Sequence, residues 1–257
     1  MNAFLEARTR PLNLAHRGAS AYAPENTLAA FRLAAEMGAD GIELDSKLSR
    51  DGRVVIVHDL TVDRTTDGSG RVSSLTLEEL KRLDAGSKFA AEFVEERVPT
   101  LEETLYAIGD RLLINVELTN YASRNDGLER KVVDVIERRG LVERVMVSSF
   151  DPLSLRKVKR AASHIVCGLL VAPDMPVYLH RAWLARLIPG LDAHHPHHTM
   201  IDAALVRRLH RRSKRINTCT VNEELAMRRL VAIGVDGIMT DRPDALKGVV
   251  QSAGCDG

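Results

Sequence analysis

Residues 41–58 read GIELDSKLSRDGRVVIVH. Two β-rich runs, Gly41–Asp45 and Val54–His58, flank Asp51-Gly52, a dipeptide that favours a tight hairpin turn. A parallel connection needs about a dozen residues or more, usually a helix, and none fits between these runs. Val54–His58 is therefore predicted to return antiparallel beside an extended second strand, with Asp45 opposite His58. Outward from this joint, short apolar runs alternate with helical patterns. The runs are Leu12–His16, Leu112–Glu117, Val145–Phe150, Ile165–Val171, Leu191–His194, Ile216–Val221 and Gly237–Thr240. Helical periodicity covers Thr27–Met37, with Asn26 as expected N-cap and Gly38 as stop, then Leu128–Arg139, Pro152–Ala162, Asp202–Arg212 and Glu223–Ile233. Setting the hairpin return aside leaves eight runs, the number of an α/β (β/α)8 TIM barrel with one extra antiparallel hairpin strand. An open doubly wound sheet is the alternative, but no Gly-rich phosphate fingerprint follows the first run.

Residues 59–98 break the alternation. They start with turn formers from Thr61 to Gly70, carry a short helical stretch at Leu77–Leu83, and read as a small insertion near the C-terminal mouth of the barrel. Nothing else divides the chain, so residues 1–257 are expected to form one domain. A 28.4 kDa chain exposes roughly 11,000 Å² when folded against about 41,000 Å² when extended, ample for a full core. Lys plus Arg is 36 and Asp plus Glu is 35, which speaks against a nucleic-acid partner. The three cysteines, Cys167, Cys219 and Cys255, form no CxxC pair. The N-terminus lacks the basic-then-apolar order of a signal peptide. No apolar run reaches the roughly 20 residues of a membrane span. The expectation is a cytoplasmic protein with no stable membrane insertion; oligomeric state is not legible.

Active sites of such barrels lie at the C-terminal ends of the strands. The first run ends in His16-Arg17-Gly18, the second contains Glu43-Leu44-Asp45, the hairpin return ends in His58-Asp59, and the strand after the insertion carries Glu117. Glu43 and Asp45, two apart, point to one face of their strand. Glu117 on the next barrel strand supplies a third carboxylate. Three such carboxylates repel unless a cation neutralises them. All-oxygen ligands suit one divalent Mg²⁺ or Ca²⁺ ion rather than zinc. Flanking His16 and His58 suit general acid–base work, and Arg17 offers a fork of donors to a phosphate. These parts together describe metal-assisted phosphodiester cleavage.

The chain resembles the glycerophosphodiester phosphodiesterase family, within the phospholipase-C-like phosphodiesterase barrels. The resemblance rests on His16-Arg17-Gly18, Pro24-Glu25-Asn26-Thr27, Glu43-x-Asp45, His58-Asp59, Asp63-Arg64-Thr65-Thr66, Asp84-Ala85-Gly86-Ser87 and Pro99 to Glu103. Val116-Glu117, Ser148-Ser149-Phe150, and Gly234 to Gly237 through Thr240-Asp241-Arg242-Pro243 complete the set, in order over nearly the whole chain. It implies that Glu43, Asp45 and Glu117 bind one divalent metal. It further implies that His16 and His58 act as general acid and base, and that Arg17 holds a phosphate oxygen. The implied substrate is a small glycerophosphodiester, cleaved to glycerol 3-phosphate and an alcohol.

Two positions depart from the family pattern. Thr119 stands where the family often has Lys, so a cation near the phosphate is missing. Cys219 stands before Thr220-Val221-Asn222 where the family often has Trp, which reshapes the pocket wall; the ten aromatic residues offer few replacements. Thr119 and Cys219 thus bear on substrate choice. Two other readings follow: a lysophospholipase D using apolar surface from the Asp174–Pro189 segment, and a weak barrel that only binds a phosphorylated ligand. His194-His195-Pro196-His197-His198 reads as a strand-to-loop segment rather than a metal site. Arg211 to Arg215 reads as a positive helix end. Asp241-Arg242-Pro243 is expected to close the last barrel turn through a salt bridge or a helix start.

Overall fold

A computed structural model describes residues 1–123, 125–175 and 188–253. The strands are β1 (Leu12–His16), β2 (Gly41–Leu48), β3 (Val54–Ile56), β4 (Leu113–Leu118), β5 (Val145–Ser149), β6 (Val166–Val171), β7 (Ala193–Pro196), β8 (Arg215–Thr218) and β9 (Gly237–Thr240). The ring runs β1–β9–β8–β7–β6–β5–β4–β2, and the β1–β2 pairing closes it. Every pairing in the ring is parallel. β3 lies outside the ring, antiparallel to β2. The (β/α)8 TIM barrel with an added hairpin strand is therefore the observed architecture.

The hairpin register differs from the expected one. Ser46 pairs with Ile56 and Leu48 with Val54, so Val57 rather than His58 bonds to Asp45. The turn is a three-residue loop, closed by the Ser49–Arg53 backbone bond. Gly52 takes φ 71°, a left-handed geometry that glycine adopts without a Cβ penalty. Asp51 stabilises the loop by accepting from the Ser49 hydroxyl at 2.7 Å and from Leu77 N–H at 2.9 Å. That side-chain anchoring favours the longer turn over a two-residue one.

The helices are α1 (Leu28–Met37), α2 (Leu77–Arg82), α3 (Leu101–Ile108), α4 (Leu128–Arg138), α5 (Pro152–Ala161), α6 (Ala203–His210), α7 (Glu224–Ala232) and α8 (Pro243–Ala253). The apolar periodicity of the longer ones packs them outside the ring. α3 was not legible as a helix, and of α8 only a start at Asp241-Arg242-Pro243 was. α3 carries a capping box, in which the Thr100 hydroxyl accepts from Glu103 N–H and the Glu103 carboxylate accepts from Thr100 N–H. α8 starts on Pro243, a residue suited to the first turn. α1 is capped by Thr27, not Asn26.

Two apolar layers fix the barrel. Between ring and helices, Ile42, Leu44, Ile114, Val116, Val147 and Ile136 belong to one buried cluster. Inside the ring, Leu14, Leu113, Met146, Val166, Ala193 and Met239 fill the N-terminal half, and Phe4 plugs its base. At roughly 25 cal/mol per Å² each large buried side chain contributes about 1.5–3 kcal/mol, so the lower barrel is a rigid floor for the polar upper half. In residues 59–98, Val62, Val72, Leu80, Ala85 and Val98 pack on Val55 and Val57 of the hairpin. This segment is thereby tied to the strand that leads into His58.

Candidate active site

The site stands at the C-terminal ends of the strands, as the fold dictates. Parallel pairing puts His16 beside Glu43 and Asp45 beside Glu117. One oxygen from each of Glu43, Asp45 and Glu117 can be chosen so that all three lie within 4.8 Å of one another. Burial, then the charges of Asp45 and Glu117, raises the Glu43 carboxyl well above its usual range. Burial, then Asp45, raises Glu117 to about 8. Both shifts express the cost of crowding like charges in a desolvated place. A bound divalent cation removes that cost, and an oxygen-only donor set fits Mg²⁺ or Ca²⁺.

After β1 the chain turns sharply. Arg17 and Gly18 take φ 54° and 86°. The left-handed conformation at Arg17 costs about 1–3 kcal/mol. It directs the Arg17 backbone N–H to Glu43 Oε2 at 3.2 Å. The Arg17 guanidinium pairs with Glu25 at 2.9 Å and with Asp45 at 3.3 Å. His16 Nε2 lies 3.9 Å from Glu43 Oε2, while its Nδ1 lies 2.6 Å from Asp241 Oδ1. Burial alone would raise Asp241, but its bonds with His16, Asn222 and Ser20 hold it down at about 2. A permanent carboxylate thus fixes the ring of His16 and leaves Nε2 toward the acidic cluster.

His58 sits past the end of β3, with its side chain 40% exposed. Its Nδ1 is 2.6 Å from Asp59 Oδ1. Asp59 accepts from Arg64 Nε at 2.6 Å, and Arg64 also donates to both oxygens of Glu25 at 2.8 Å. The Arg64 bond leads the effects that hold Asp59 at about 2. His58 is therefore joined to Arg17 through Asp59, Arg64 and Glu25. No direct contact links His58 to the three carboxylates among the described residues.

Several members of the site had another role, or none, at the sequence level. Asn26 donates to Asp45 Oδ2 at 2.9 Å, and its φ of 58° is one that Asn tolerates better than most residues. This commitment to Asp45 is why Thr27 serves as the helix cap. Tyr121 donates its hydroxyl to Glu117 at 2.8 Å. Asp241 forms a bond with a histidine rather than only closing a turn. The motifs Pro24-Glu25-Asn26-Thr27 and Thr240-Asp241-Arg242-Pro243 were visible, but partners up to 225 residues away were not.

Thr119 is buried and donates its hydroxyl to Ser46 C=O at 2.9 Å. It also accepts from Lys47 Nζ at 2.7 Å, and its carbonyl accepts from the same ammonium at 2.8 Å. A cation therefore stands beside position 119 after all, carried on β2 instead of after β4. Cys219 lies near the cluster: burial, then Glu117 and Glu43, push its thiol up and keep it neutral. In the histidine run, His195 is fully buried, 3.0 Å from Asn217 Nδ2, and His197 Nδ1 lies 2.8 Å from Thr199 Oγ1. Of the apolar Asp174–Pro189 segment, residues 176–187 lie outside the described residues.

Fold and site define a phosphodiesterase-type barrel, with an acidic cluster and a carboxylate-held histidine at its mouth. The model of the glycerophosphoryl diester phosphodiesterase family matches residues 16–245, and the chain belongs to that family. It is an enzyme, a phosphoric diester hydrolase. A glycerophosphodiester phosphodiesterase of Caldanaerobacter subterraneus subsp. tengcongensis is 43% identical over 246 residues, 95% of this chain and 100% of that protein. One from Bacillus altitudinis is 40% identical over 90% of this chain and 94% of its own. An Oleispira antarctica phosphodiesterase, solved in complex with the product sn-glycerol-3-phosphate, is 30% identical. It superposes with a TM-score of 0.84 over 94% of this chain and 97% of its own.

Proposed function

We propose that this enzyme hydrolyses glycerophosphodiesters to glycerol 3-phosphate and an alcohol at the Glu43, Asp45 and Glu117 cluster. The observation that carries the reading is that cluster, gathered within 4.8 Å beneath a histidine whose outer nitrogen is pinned by Asp241. Glu43, Asp45 and Glu117 hold one divalent cation, Mg²⁺ or Ca²⁺. When bound, it neutralises phosphate charge and withdraws electrons from phosphorus.

His16 and His58 divide the proton work. His16, held at Nδ1, exchanges a proton at Nε2, beside Glu43. His58, held at Nδ1 by Asp59, exchanges a proton at Nε2. Arg17 binds a nonbridging phosphate oxygen; its pairs with Glu25 and Asp45 fix it in place. The substrate's own glycerol hydroxyl attacks phosphorus and gives up its proton to one histidine. The alcohol oxygen leaves with a proton from the other, and a cyclic phosphate results. Water then opens that ring with the two roles reversed, giving glycerol 3-phosphate. Thr119 acts through Lys47, and Cys219 forms a small part of the pocket wall.

The test is glycerol 3-phosphate release from glycerophosphocholine, glycerophosphoethanolamine and glycerophosphoglycerol, with EDTA, Mg²⁺ or Ca²⁺, beside His16→Ala. Release that needs a divalent ion and disappears in the variant supports the reading. Release in EDTA at the full rate sinks the metal assignment. Unchanged cleavage of an analogue lacking the glycerol hydroxyl excludes the cyclic route.

A further inference from the structure

We propose that the cavity beside the acidic cluster is an anion subsite for the alcohol half of the diester, an inference that rests on the phosphodiesterase reading above. The cavity, about 460 Å³, lies between the β2–β3 turn, the first part of residues 59–98 and the β4–α4 loop. Lys47, Arg50, Arg71 and Lys131 line it, against Asp126 as the carboxylate of its lining. Asp126 is already engaged: it accepts from Asn120 Nδ2 at 3.0 Å, Ser123 Oγ at 2.7 Å and Leu128 N–H at 3.0 Å. These bonds fix its place in the loop, and four cationic side chains against one carboxylate leave the lining an excess of positive charge.

Lys47 ties this cavity to the reacting centre. It is only 7% exposed, its ammonium bonds to two neutral oxygens of Thr119, and the charges of Asp45, Glu117 and Asp59 act on it without a direct hydrogen bond among the described residues. An ammonium has three donor positions, and Thr119 takes two of them, so one is left for an anion in the cavity. It follows Asp45 by two residues on β2, and Thr119 follows Glu117 by two on the way out of β4. A strand rises about 3.3 Å per residue, so Lys47, at the inner end of the subsite, stands about 7 Å beyond the metal-binding carboxylates. That is the distance from phosphorus to a group a few bonds into the alcohol. Arg50 donates to Ser74 C=O at 3.2 Å and pairs with Glu79 at 3.3 Å. Arginine forks match carboxylate and phosphate oxygens. The ligand class is thus a glycerophosphodiester whose alcohol carries a further carboxylate or phosphate.

Glycerophosphoserine and glycerophosphoethanolamine differ by one carboxylate and make a direct test. The wild-type enzyme is expected to favour the serine diester in kcat/KM by about fivefold, the value of one partly exposed ion pair. The preference shrinks as salt rises. Arg71→Ala combined with Lys131→Ala brings the ratio toward one. A wild-type ratio at or below one, or a ratio unmoved in the double variant, overturns the subsite. Calorimetric binding of O-phosphoserine against O-phosphoethanolamine reads the same preference without turnover. Equal affinities there also overturn it. Absence of glycerol 3-phosphate release from either diester, by contrast, counts against the phosphodiesterase reading alone.

Discussion

His16 Nδ1 and Asp241 Oδ1 lie 2.6 Å apart, joining the first and last strands of the barrel across 225 residues of sequence. The Asp241 carboxylate is itself held by Asn222 Nδ2 at 2.6 Å and by Ser20 Oγ at 3.0 Å. It has no freedom to leave the ring. This arrangement sets which nitrogen of His16 faces the acidic cluster.

Asp241→Asn keeps the shape and removes the charge. It is expected to lower kcat by about 10²-fold or more, the scale of a misdirected acid–base group, with a smaller effect on KM. Steady-state kinetics beside circular dichroism checks this. A variant with near-wild-type kcat shows that His16 needs no anchor.

Cation binding should be visible without turnover. Glu43 and Glu117 are crowded and desolvated, so a cation that relieves them stabilises the fold. At a hundredfold excess over Kd the gain is about 2.7 kcal/mol. Thermal unfolding with EDTA, Mg²⁺ and Ca²⁺ measures it, and Glu117→Gln should abolish the rise in Tm. A wild-type Tm indifferent to both ions argues against a site there.

Lys47 provides a swap experiment. Lys47→Gln is expected to lower kcat/KM by about tenfold, since charge-assisted bonds contribute on the order of 1.5–3 kcal/mol. Adding Thr119→Lys to the same chain returns the charge from the neighbouring strand and should recover most of the loss. Failure of the double variant to recover, while it unfolds like wild type, shows that the ammonium's place matters and not only its charge.

Burial lowers His195 to about 3, and burial lowers His194 to about 4. The unfolded chain protonates near 6.5 while the native chain resists. Unfolded protein therefore binds more protons between pH 6.5 and about 3, and stability falls as pH drops through that window. The slope for His195 approaches about 1.4 kcal/mol per pH unit. Urea unfolding at pH 7, 6, 5 and 4.5 should give a steeper loss for wild type than for His195→Gln. Parallel curves contradict the assignment.

The sequence by itself determined the periodic and local features. The spacing of apolar runs specified eight parallel strands, because strand and helix periods are written in nearest neighbours. Glu43 and Asp45 were legible as a pair because a strand repeats its face every second residue. The stretch Leu77–Leu83 was legible as a short helix for the same local reason. Tertiary structure decided what depends on ring closure. It set the hairpin register by one residue, through an Asp51 side chain bonded to the distant Leu77. It turned Asn26 away from capping α1 and onto Asp45. It placed Lys47 against Thr119, filling a charge that position 119 lacks. It brought Asp241 to His16, because only closing β9 onto β1 makes the two ends of the chain neighbours. Electrostatic partners act through space, and the order of residues along a chain fixes that space only once the barrel has closed.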